Sequence, residues 1–597
     1  MSINVKNRGS RIMVFQAAPG KTADFLLITG DAWVDHPAFG AAVIARVLEA
    51  EGFTTAYIAQ PDWKDASSLS GLPRPRLAGL VTSGNLDSMV ANYTAARRQR
   101  NAAPNGGCGR GTGVGRKPDR ACIVYTGLLK AAFPGLPVIL GGLEASLRRF
   151  AHYDYWDDRV RRSILVDSGA DILVYGMGER TIRELARQMD KGEELYTRGI
   201  CFLTDKTPSN AVVLPSFEQV SKDKRTYAKA TMLEYREHDP IRGRTLCQSH
   251  SNRFLVCTPP AMPLSAAELD AVAELPFTRL PVSKETEEIQ FSLIHNRGCF
   301  GGCNFCSLAF HQGRIISSRS HASLLREAEK LTQMPGFKGY IHDVGGPTAN
   351  FRHPACKKQM KSGSCPDRHC LTPKPCPNLD ASHADYLILL QKLRALPGVK
   401  KVFVRSGIRY DYLMLDKSGH CMEELVKHHI SGQLKVAPEH CRDHVLDLMN
   451  KPRFAAYRAF CKKYEALNSK AGKKQFLVPY LISSHPGSRL EDAVELALTL
   501  KRMGRRPEQV QDFYPTPGTI STCMYHTGLD PRTMKPVYAA KTPHEKAMQR
   551  ALLQWFLPQN RKLVLEGLRQ AGREDLIPVL LGGVRMKGKP PAKRRGR

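Results

Sequence analysis

Short apolar segments alternate with amphipathic segments along most of this chain, and that alternation restricts the fold. In the first half, the strand-like segments lie at 25–29, 54–59, 77–81, 137–140 and 172–175. The helical segments between them include 41–51, 121–133 and 179–189. Parallel strands are covered by helices on both faces, so they are continuously apolar. The pattern therefore predicts an α/β fold, with a Rossmann-like, doubly wound N-terminal domain over residues 1–258.

The alternation resumes in the second half. Six strand-like segments lie at 288–294, 339–343, 401–405, 432–437, 475–482 and 509–514. Helical segments lie between them, at 321–334, 384–396, 420–429, 454–468 and 489–503. Repeated strand–helix units close into a full or partial TIM barrel, which we predict over 285–535. A proline-rich linker at 259–284, a C-terminal helical extension at 536–584 and a disordered basic tail at 585–597 complete the predicted organisation.

Three cysteines, Cys299, Cys303 and Cys306, lie close together at the start of the predicted barrel. Their spacing is C-x3-C-x2-C, within a glycine-rich loop. Three thiolates on one loop can bind three irons of a [4Fe-4S] cluster, which usually takes four cysteine ligands. No fourth cysteine follows nearby, so one iron is left open, as in reactive rather than structural metal sites. Zinc is the alternative, but zinc sites usually pair C-x2-C units with a second distant pair.

This motif resembles the signature of the radical S-adenosylmethionine (SAM) enzymes. Together with the segments 35–40, 118–121, 290–306, 343–350 and 436–440, it closely resembles the YgiQ-type radical SAM proteins of bacteria. The resemblance implies that the open iron binds SAM, and that the reduced cluster cleaves SAM to methionine and a 5′-deoxyadenosyl radical. It also implies an external one-electron donor, a flavodoxin or ferredoxin. It gives neither a substrate nor a catalytic residue.

The ends of the later strands carry candidate contacts to SAM. Gly345, Gly346 and Pro347 resemble the family's Gly-Gly-Glu-Pro segment, although the glutamate is missing. Their backbone would approach the amino group of SAM. Arg405 could bind the carboxylate or ribose of SAM, because a guanidinium matches a carboxylate. Glu439 could accept a ribose hydroxyl. For Arg405 and Glu439, an ordinary charge at a strand end is the alternative interpretation.

The turns of the first half resemble those of the cobalamin-binding domain that often precedes a radical SAM core. Cobalamin-ligating members carry Asp-x-His-x-x-Gly, whereas here Asp35 and His36 are adjacent and three residues separate His36 from Gly40. We therefore favour a scaffold without cobalamin and keep cobalamin as the less favoured alternative. The ends of the parallel strands are where such a sheet binds a ligand.

A second group of cysteines lies in the insertion 353–380, which follows the glycine pair. The segment is rich in Pro, Lys, Gly and Ser, and its thiols are Cys356, Cys365, Cys370 and Cys376. Free cysteines usually behave as small buried hydrophobic residues, so four of them in a polar segment suggest metal binding. We predict zinc or an auxiliary cluster that orders the insertion beside the barrel mouth. His353 and His369 are spare ligands.

Charge and cysteine content limit the partners and the compartment. The 597-residue chain has a net charge of +32, which favours polyanions such as nucleic acid. A second candidate function is therefore a non-catalytic iron–sulfur or zinc protein that binds RNA. The 16 cysteines do not suggest a disulfide framework, which belongs to small secreted chains. With no signal peptide or transmembrane segment in the sequence, we expect a cytoplasmic protein without a membrane partner.

Overall fold

The structure is a computed structural model that describes residues 3–7, 10–14, 22–100, 117–508 and 510–582. The predicted basic tail lies outside the described residues. Within them, the strands of the first half are β1 Ile3–Asn7, β2 Ser10–Val14, β3 Phe25–Thr29, β4 Thr55–Ala59, β5 Ala78–Thr82, β6 Val138–Gly141, β7 His152–Asp154, β8 Arg159–Arg161, β9 Ile172–Val174, β10 Ile200–Thr204, β11 Val212–Leu214, β12 Leu246–His250 and β13 Arg253–Cys257. The helices are α1 Gly40–Ala50, α2 Ser88–Asn92, α3 Ala121–Ala132, α4 Gly142–Leu147, α5 Ile164–Ser168, α6 Glu179–Lys191, α7 Phe217–Lys222, α8 Lys224–Glu237 and α9 Ala266–Ala273.

Nine of these strands form one sheet in the order β11-β12-β13-β10-β9-β6-β5-β3-β4. The five strands from β9 to β4 are parallel, as predicted. The other four strands were not predicted, and three of their pairings are antiparallel. Of these, β12 mixes polar with apolar residues and so lacks the continuous apolar pattern that marks a strand buried on both faces.

Alternate residues of the parallel strands face two separate apolar clusters. Leu26 and Ile28 of β3 belong to the cluster that α3 and α5 cover. Phe25 and Leu27 of the same strand belong to the cluster that α1, α6 and α9 cover. Because side chains alternate across a strand, helices on both faces bury the whole of β3. The predicted doubly wound sheet is confirmed.

The second half contains the parallel strands of the predicted barrel. Its strands are β14 Ser292–Ile294, β15 Asn296–Arg297, β16 Ser317–Ser318, β17 Tyr340–Ile341, β18 Asp343–Gly345, β19 Lys401–Val402, β20 Gln433–Glu439, β21 Phe476–Ser483 and β22 Gln511–Asp512. Its helices are α10 Lys284–Gln290, α11 Leu308–Gln312, α12 His321–Thr332, α13 Lys357–Ser362, α14 Ala384–Arg394, α15 Tyr410–Met414, α16 His420–Glu424, α17 Asp443–Met449, α18 Phe454–Lys470, α19 Leu490–Arg502 and α20 Ile520–Thr527. A π-helical turn, Leu425–His429, extends α16.

Parallel pairing links neighbouring strands of the six predicted regions, and a single backbone hydrogen bond bridges the third region to the turn before β20. β14 pairs with β18, β17 pairs with β19, and β20, β21 and β22 pair in sequence. Between β19 and β20, the Val404 N–H donates to the carbonyl of His429 at 3.0 Å. These strands form the sheet of a partial barrel. Helices such as α12, α14 and α18 pack against the strands in one buried apolar cluster. The predicted strand 288–294 is wrong in its first part, because α10 occupies 284–290 and the Ser283 N–H donates to Thr286 Oγ1 at its start.

The described part of the chain ends in helices that pack on the barrel. They are α21 Pro543–Leu553, α22 Arg561–Gln570 and α23 Ile577–Leu581, with 3₁₀ turns at Pro558–Asn560 and Glu574–Leu576. Their apolar residues join those of α19 in one buried cluster. None of the described helices combines the length and hydrophobicity needed to cross a bilayer. We retain the predicted domain boundaries as a proposal, noting that α9 of the linker packs on the first-half sheet.

Candidate functional site

The cysteine loop connects β15 to α11 at the carboxyl end of the first barrel strand. At its start, the Cys299 N–H donates to the carbonyl of Gly313 at 3.0 Å. In its middle, the Asn304 N–H donates to the carbonyl of Met449 at 2.9 Å. The backbone of the loop is therefore held between the turn after α11 and the end of α17.

A glycine lets this loop pack closely against two other segments. Gly302 has a φ of 65° and its carbonyl accepts from Asn450 Nδ2 at 2.5 Å. A Cβ atom at this position would lie 2.7 Å from Nδ1 of His369 in the insertion. Both the positive φ and the close approach require glycine here. Part of the predicted insertion therefore touches the cysteine loop directly.

The three thiols of the loop are partly buried and lie beside polar side chains. Cys303 Sγ accepts from Arg409 Nη1 at 3.5 Å, and Cys299 Sγ lies 3.6 Å from Thr348 Oγ1. Burial, followed by the neighbouring thiols of Cys303 and Cys299, raises the pKa of Cys306 to about 12. The free Cys306 thiol is therefore protonated at neutral pH, and a bound metal would deprotonate it.

The donor set of the cysteine loop is chemically suited to an iron–sulfur cluster, because all three donors are thiols. Among the described residues, no group of three or more His, Cys, Asp or Glu side chains is placed to hold a single metal ion. The thiols, the donor on Cys303 and the glycine-rich loop together fit a cluster of this kind.

Two buried ion pairs flank the loop. Arg409 donates to Asp411 through Nε at 2.8 Å and Nη2 at 2.7 Å, and this pairing raises the pKa of the guanidinium. Lys451 Nζ lies 3.7 Å from Glu439 Oε1. Burial raises the pKa of Glu439, although Lys451 and Arg409 oppose the shift. Glu439 also has a φ of 66°, which is unusual outside glycine.

The predicted glycine pair lies at the end of β18, against β14. The His295 N–H donates to the carbonyl of Gly345 at 3.0 Å. A Cβ atom at Gly345 would overlap Ser406 Oγ, and one at Gly346 would overlap Asn296 Oδ1. Asn296 Oδ1 is buried and has no hydrogen-bond partner among the described residues. The backbone of this segment therefore lies where only glycine fits, beside a buried acceptor.

Arg405 occupies a different environment from the other predicted residues. Its backbone N–H donates to Asp343 Oδ1 at 2.8 Å, but its guanidinium is exposed and lies 3.4 Å from Glu288. The structure thus places Glu439 and the glycine pair near the cysteine loop. It places the Arg405 side chain at the surface, in an ion pair with Glu288. Arg409, which sequence reasoning missed, is the guanidinium that contacts Cys303. Its position in the segment Gly407-Ile-Arg-Tyr-Asp411, just after the third strand, was the available signal.

A cavity of about 370 Å³ lies on the other side of this loop. The carboxyl ends of β3, β5, β6 and β9 form one wall, and residues around the cysteine loop form the other, including Asn296, Arg297 and His311. Ligands bind at this edge of open parallel sheets. The volume falls within the range of small-molecule sites.

Few polar groups face this cavity, and they are fixed. Arg297 forms an ion pair with Glu179, whose carboxylate is buried. His311 Nδ1 lies 3.1 Å from Ser146 Oγ. Burial lowers the pKa of His311 to about 4, so its imidazole is neutral at neutral pH. The cavity therefore offers a mostly apolar wall with one ion pair, one neutral imidazole and the polar side chains of Thr82, Asn85, Asn296 and Gln312.

The turn with the candidate cobalamin ligand lines the cavity through Pro37, Ala38 and Gly40, but Asp35 and His36 are not among the lining residues. Asp35 accepts a fork from Arg46, at 3.2 and 2.6 Å. His36 is 1% exposed, its Nδ1 accepts from the Ala38 N–H at 3.0 Å, and its Nε2 lies 3.0 Å from Arg279 Nη1. Both ring nitrogens have protein neighbours. His36 is therefore not placed to bind a ligand in the cavity.

The sequence of this chain matches two family models and is similar to bacterial proteins. A family model described as Radical SAM N-terminal matches residues 15–292, and a domain of unknown function (DUF3362) matches 508–580. A UPF0313 protein of Clostridium perfringens (strain 13) is 51% identical over 572 residues, 93% of this chain and 86% of the relative. A UPF0313 protein of Clostridium botulinum (strain 657) is 53% identical over 574 residues, 93% of this chain and 88% of the relative.

Two solved radical SAM enzymes were also matched. The methyltransferase TsrM from Kitasatospora setae, with cobalamin and a [4Fe-4S] cluster bound, is 13% identical with a TM-score of 0.47. The match covers 85% of this chain and 79% of that chain. OxsB, with aqua-cobalamin and SAM bound, is 9% identical with a TM-score of 0.48, covering 93% and 71%. Both were solved with cobalamin bound, and the sequence-based preference against cobalamin in this chain stays a prediction.

Proposed function

Since this chain belongs to the UPF0313 family of radical SAM proteins and is an enzyme of that class, we propose that Cys299, Cys303 and Cys306 bind three irons of a [4Fe-4S] cluster. The fourth iron would bind SAM. Three part-buried thiols on one fixed loop, with a guanidinium on Cys303, carry the proposal. When bound, the cluster and SAM supply a 5′-deoxyadenosyl radical that removes hydrogen from a substrate.

Arg409 and Asp411 act on the cluster site through charge. The guanidinium donates to Cys303 and offsets the negative charge of the bound thiolates. Asp411 holds the guanidinium by a two-point contact, so the donor cannot rotate away from the sulfur. Because both side chains are buried, this interaction is weakly screened by salt.

Backbone and buried acceptors would position SAM. The backbone of the segment Gly345, Gly346 and Pro347 passes close to Asn296 Oδ1. This buried oxygen has no partner among the described residues, so the amino group of SAM could donate a hydrogen bond to it. Glu439 would accept a ribose hydroxyl. Arg405 could reach the SAM carboxylate only after leaving Glu288, which an exposed side chain can do at little energetic cost.

The cavity between the sheet and the cysteine loop would hold the second reactant, a substrate or cobalamin. Its apolar wall would exclude water, and the neutral imidazole of His311 could exchange a hydrogen bond with the bound molecule. His36 would not hold a cobalamin here, because both its ring nitrogens already have protein neighbours. We further propose a flavodoxin or ferredoxin as electron donor and, from the net charge of +32, nucleic acid as a candidate partner.

Formation of 5′-deoxyadenosine tests the function. The protein is reconstituted anaerobically with iron and sulfide, reduced, and assayed for 5′-deoxyadenosine and methionine by mass spectrometry. Cys303→Ala should abolish both products, whereas Cys247→Ala, which removes a buried thiol of β12, should leave them unchanged. A well-formed cluster that cleaves no SAM with dithionite or with reduced flavodoxin would refute the proposal.

A further inference from the structure

His311 stands where the first-half sheet meets the cysteine loop. It belongs to α11, directly after that loop, and it lines both the cavity of about 370 Å³ and a neighbouring cavity of about 60 Å³. Its Nδ1 lies 3.1 Å from Oγ of Ser146, a buried residue of α4. The hydrogen bonds of Ser146 therefore decide which ring nitrogen of His311 carries the hydrogen.

The hydroxyl of Ser146 has one hydrogen and three polar neighbours. Its Oγ lies 2.8 Å from the carbonyl of Gly142, one turn earlier in α4, and accepts from the Gly176 N–H at 3.0 Å. A carbonyl can only accept, so the serine hydrogen must lie between the two oxygens. Otherwise their lone pairs would face each other at contact distance. The lone pairs of Oγ are thus left to accept from the Gly176 N–H and from Nδ1–H of His311.

This hydrogen-bond pattern fixes the tautomer of His311. Burial lowers the pKa of the imidazole to about 4, so the ring is neutral and carries a single N–H, on Nδ1. The other nitrogen, Nε2, then carries a lone pair. Within the residues that the structure describes, Nε2 has no hydrogen-bond partner and is not enclosed by protein atoms. An acceptor of fixed orientation is therefore open to a ligand.

The charged groups beside His311 offset each other. Arg297 lines the same two cavities, and its guanidinium donates to Glu179, which is buried at the start of α6. The pair has no net charge, and most of the remaining wall of the larger cavity is apolar. A carboxylate or phosphate would meet a lone pair at His311 and a guanidinium that already has an anionic partner. The chemistry of the wall therefore favours an uncharged ligand.

We propose that the second reactant is an uncharged molecule with an apolar body that donates an N–H or O–H hydrogen bond to Nε2 of His311. This inference rests on the proposed function, since it names the chemical class of the molecule held by the cavity. Ser146 is a positioning residue, because it acts on that molecule only through the tautomer of His311. A molecule without a donor would leave the lone pair unpaired in apolar surroundings, which should weaken binding about tenfold.

Three small molecules with the same ring test the ligand class. Phenol carries an O–H donor, anisole has a methyl group in place of that hydrogen, and benzoate is charged. Their affinities for the reconstituted full-length protein are measured at neutral pH by saturation-transfer NMR. Phenol should bind about tenfold more tightly than anisole or benzoate. His311→Leu should abolish this preference, whereas His544→Leu, at an exposed histidine paired with Glu566, should retain it.

Three outcomes of the binding experiment would overturn the proposal. They are a lack of phenol binding, equal affinities for phenol and anisole, and a preference for phenol that survives in His311→Leu. Tighter binding of benzoate would instead assign the cavity to anions through Arg297. None of these measurements depends on SAM cleavage. Failure of the proposed function would appear as absence of 5′-deoxyadenosine, with the preference for phenol unchanged.

The tautomer itself is measured without any ligand. Nitrogen-15 NMR of protein labelled at histidine, with the cluster oxidised, separates protonated from unprotonated ring nitrogens, and His311→Asn identifies the signals of this residue. We expect the hydrogen on Nδ1 in the wild type. Ser146→Ala should give a mixture of tautomers and a weaker preference for phenol, because the acceptor for Nδ1–H is gone. A hydrogen on Nε2 in the wild type would overturn the proposal even if a variant failed to fold.

Discussion

Arg409 and Arg405 lie four residues apart and carry the same charge, yet only one of them is buried. Arg409 is paired with Asp411, both 8% exposed, while the Arg405 side chain is 40% exposed and its partner Glu288 is 76% exposed. Replacing each arginine by methionine therefore removes the same charge from two environments. The stability changes should differ strongly.

The expected loss of stability depends on whether the substitution leaves a buried or an exposed charge unpaired. Arg409→Met leaves the Asp411 carboxylate buried without its partner, which costs about 3–5 kcal/mol. Arg405→Met breaks an exposed pair and costs less than about 1 kcal/mol. In domains of 150–250 residues, 1 kcal/mol shifts the melting temperature by about 2–4 °C. We expect Arg409→Met to melt at least about 6 °C lower and Arg405→Met no more than about 4 °C lower.

Calorimetry on the reconstituted protein under anaerobic conditions measures both shifts, and a double variant separates packing from charge. Arg409→Met/Asp411→Leu should recover most of the stability, because it removes both buried charges. It should not recover the cluster potential, which should fall because Cys303 has lost a cationic donor. Equal melting temperatures for the two single variants would refute the assignment of Arg409 as a buried supporting charge.

Three further changes test the remaining parts of the site. Gly346→Ala should weaken SAM binding about tenfold or more, whereas Gly407→Ala, where a Cβ meets open space, should not. His311→Asn should gain stability relative to the wild type as the pH falls from about 6.5 to about 4, because the wild-type unfolded chain takes up a proton that the buried imidazole resists. Lys451→Met should destabilise less as the pH falls, because burial raises the pKa of Glu439 and its neutral form does not need Lys451; urea midpoints across pH measure both effects.

Much of the fold follows from periodicity in the sequence. The predicted strand at 25–29 coincides with β3, and the predicted helix at 121–133 matches α3 to within one residue. These segments are recognised because continuous apolar runs and helical spacing are local properties of the sequence. The antiparallel strands from β10 to β13 escaped prediction because sequences such as Leu246–His250 mix polar residues into a short strand.

The site was less predictable than the fold. The cysteine motif and the glycine pair are local patterns, so their positions at strand ends could be predicted. The pairing of Arg409 with Asp411 and of Lys451 with Glu439 could not, because burial of a charge depends on segments far apart in sequence. For that reason the sequence pointed to Arg405, whereas the guanidinium that contacts Cys303 belongs to Arg409.

The cysteine loop is the point at which three parts of the molecule meet. One side of the loop borders the cavity at the edge of the first-half sheet. His311 of α11, five residues after Cys306 in the sequence, lines this cavity. The Gly302 carbonyl of the loop accepts from Asn450, whose side chain in turn accepts from Thr372 of the insertion. A reactant in the cavity and the insertion would thus both act on this loop. Any change that loosens the insertion should therefore alter the cluster site before it alters the cavity, because the insertion reaches the loop through Asn450 and supplies none of the residues that line the cavity.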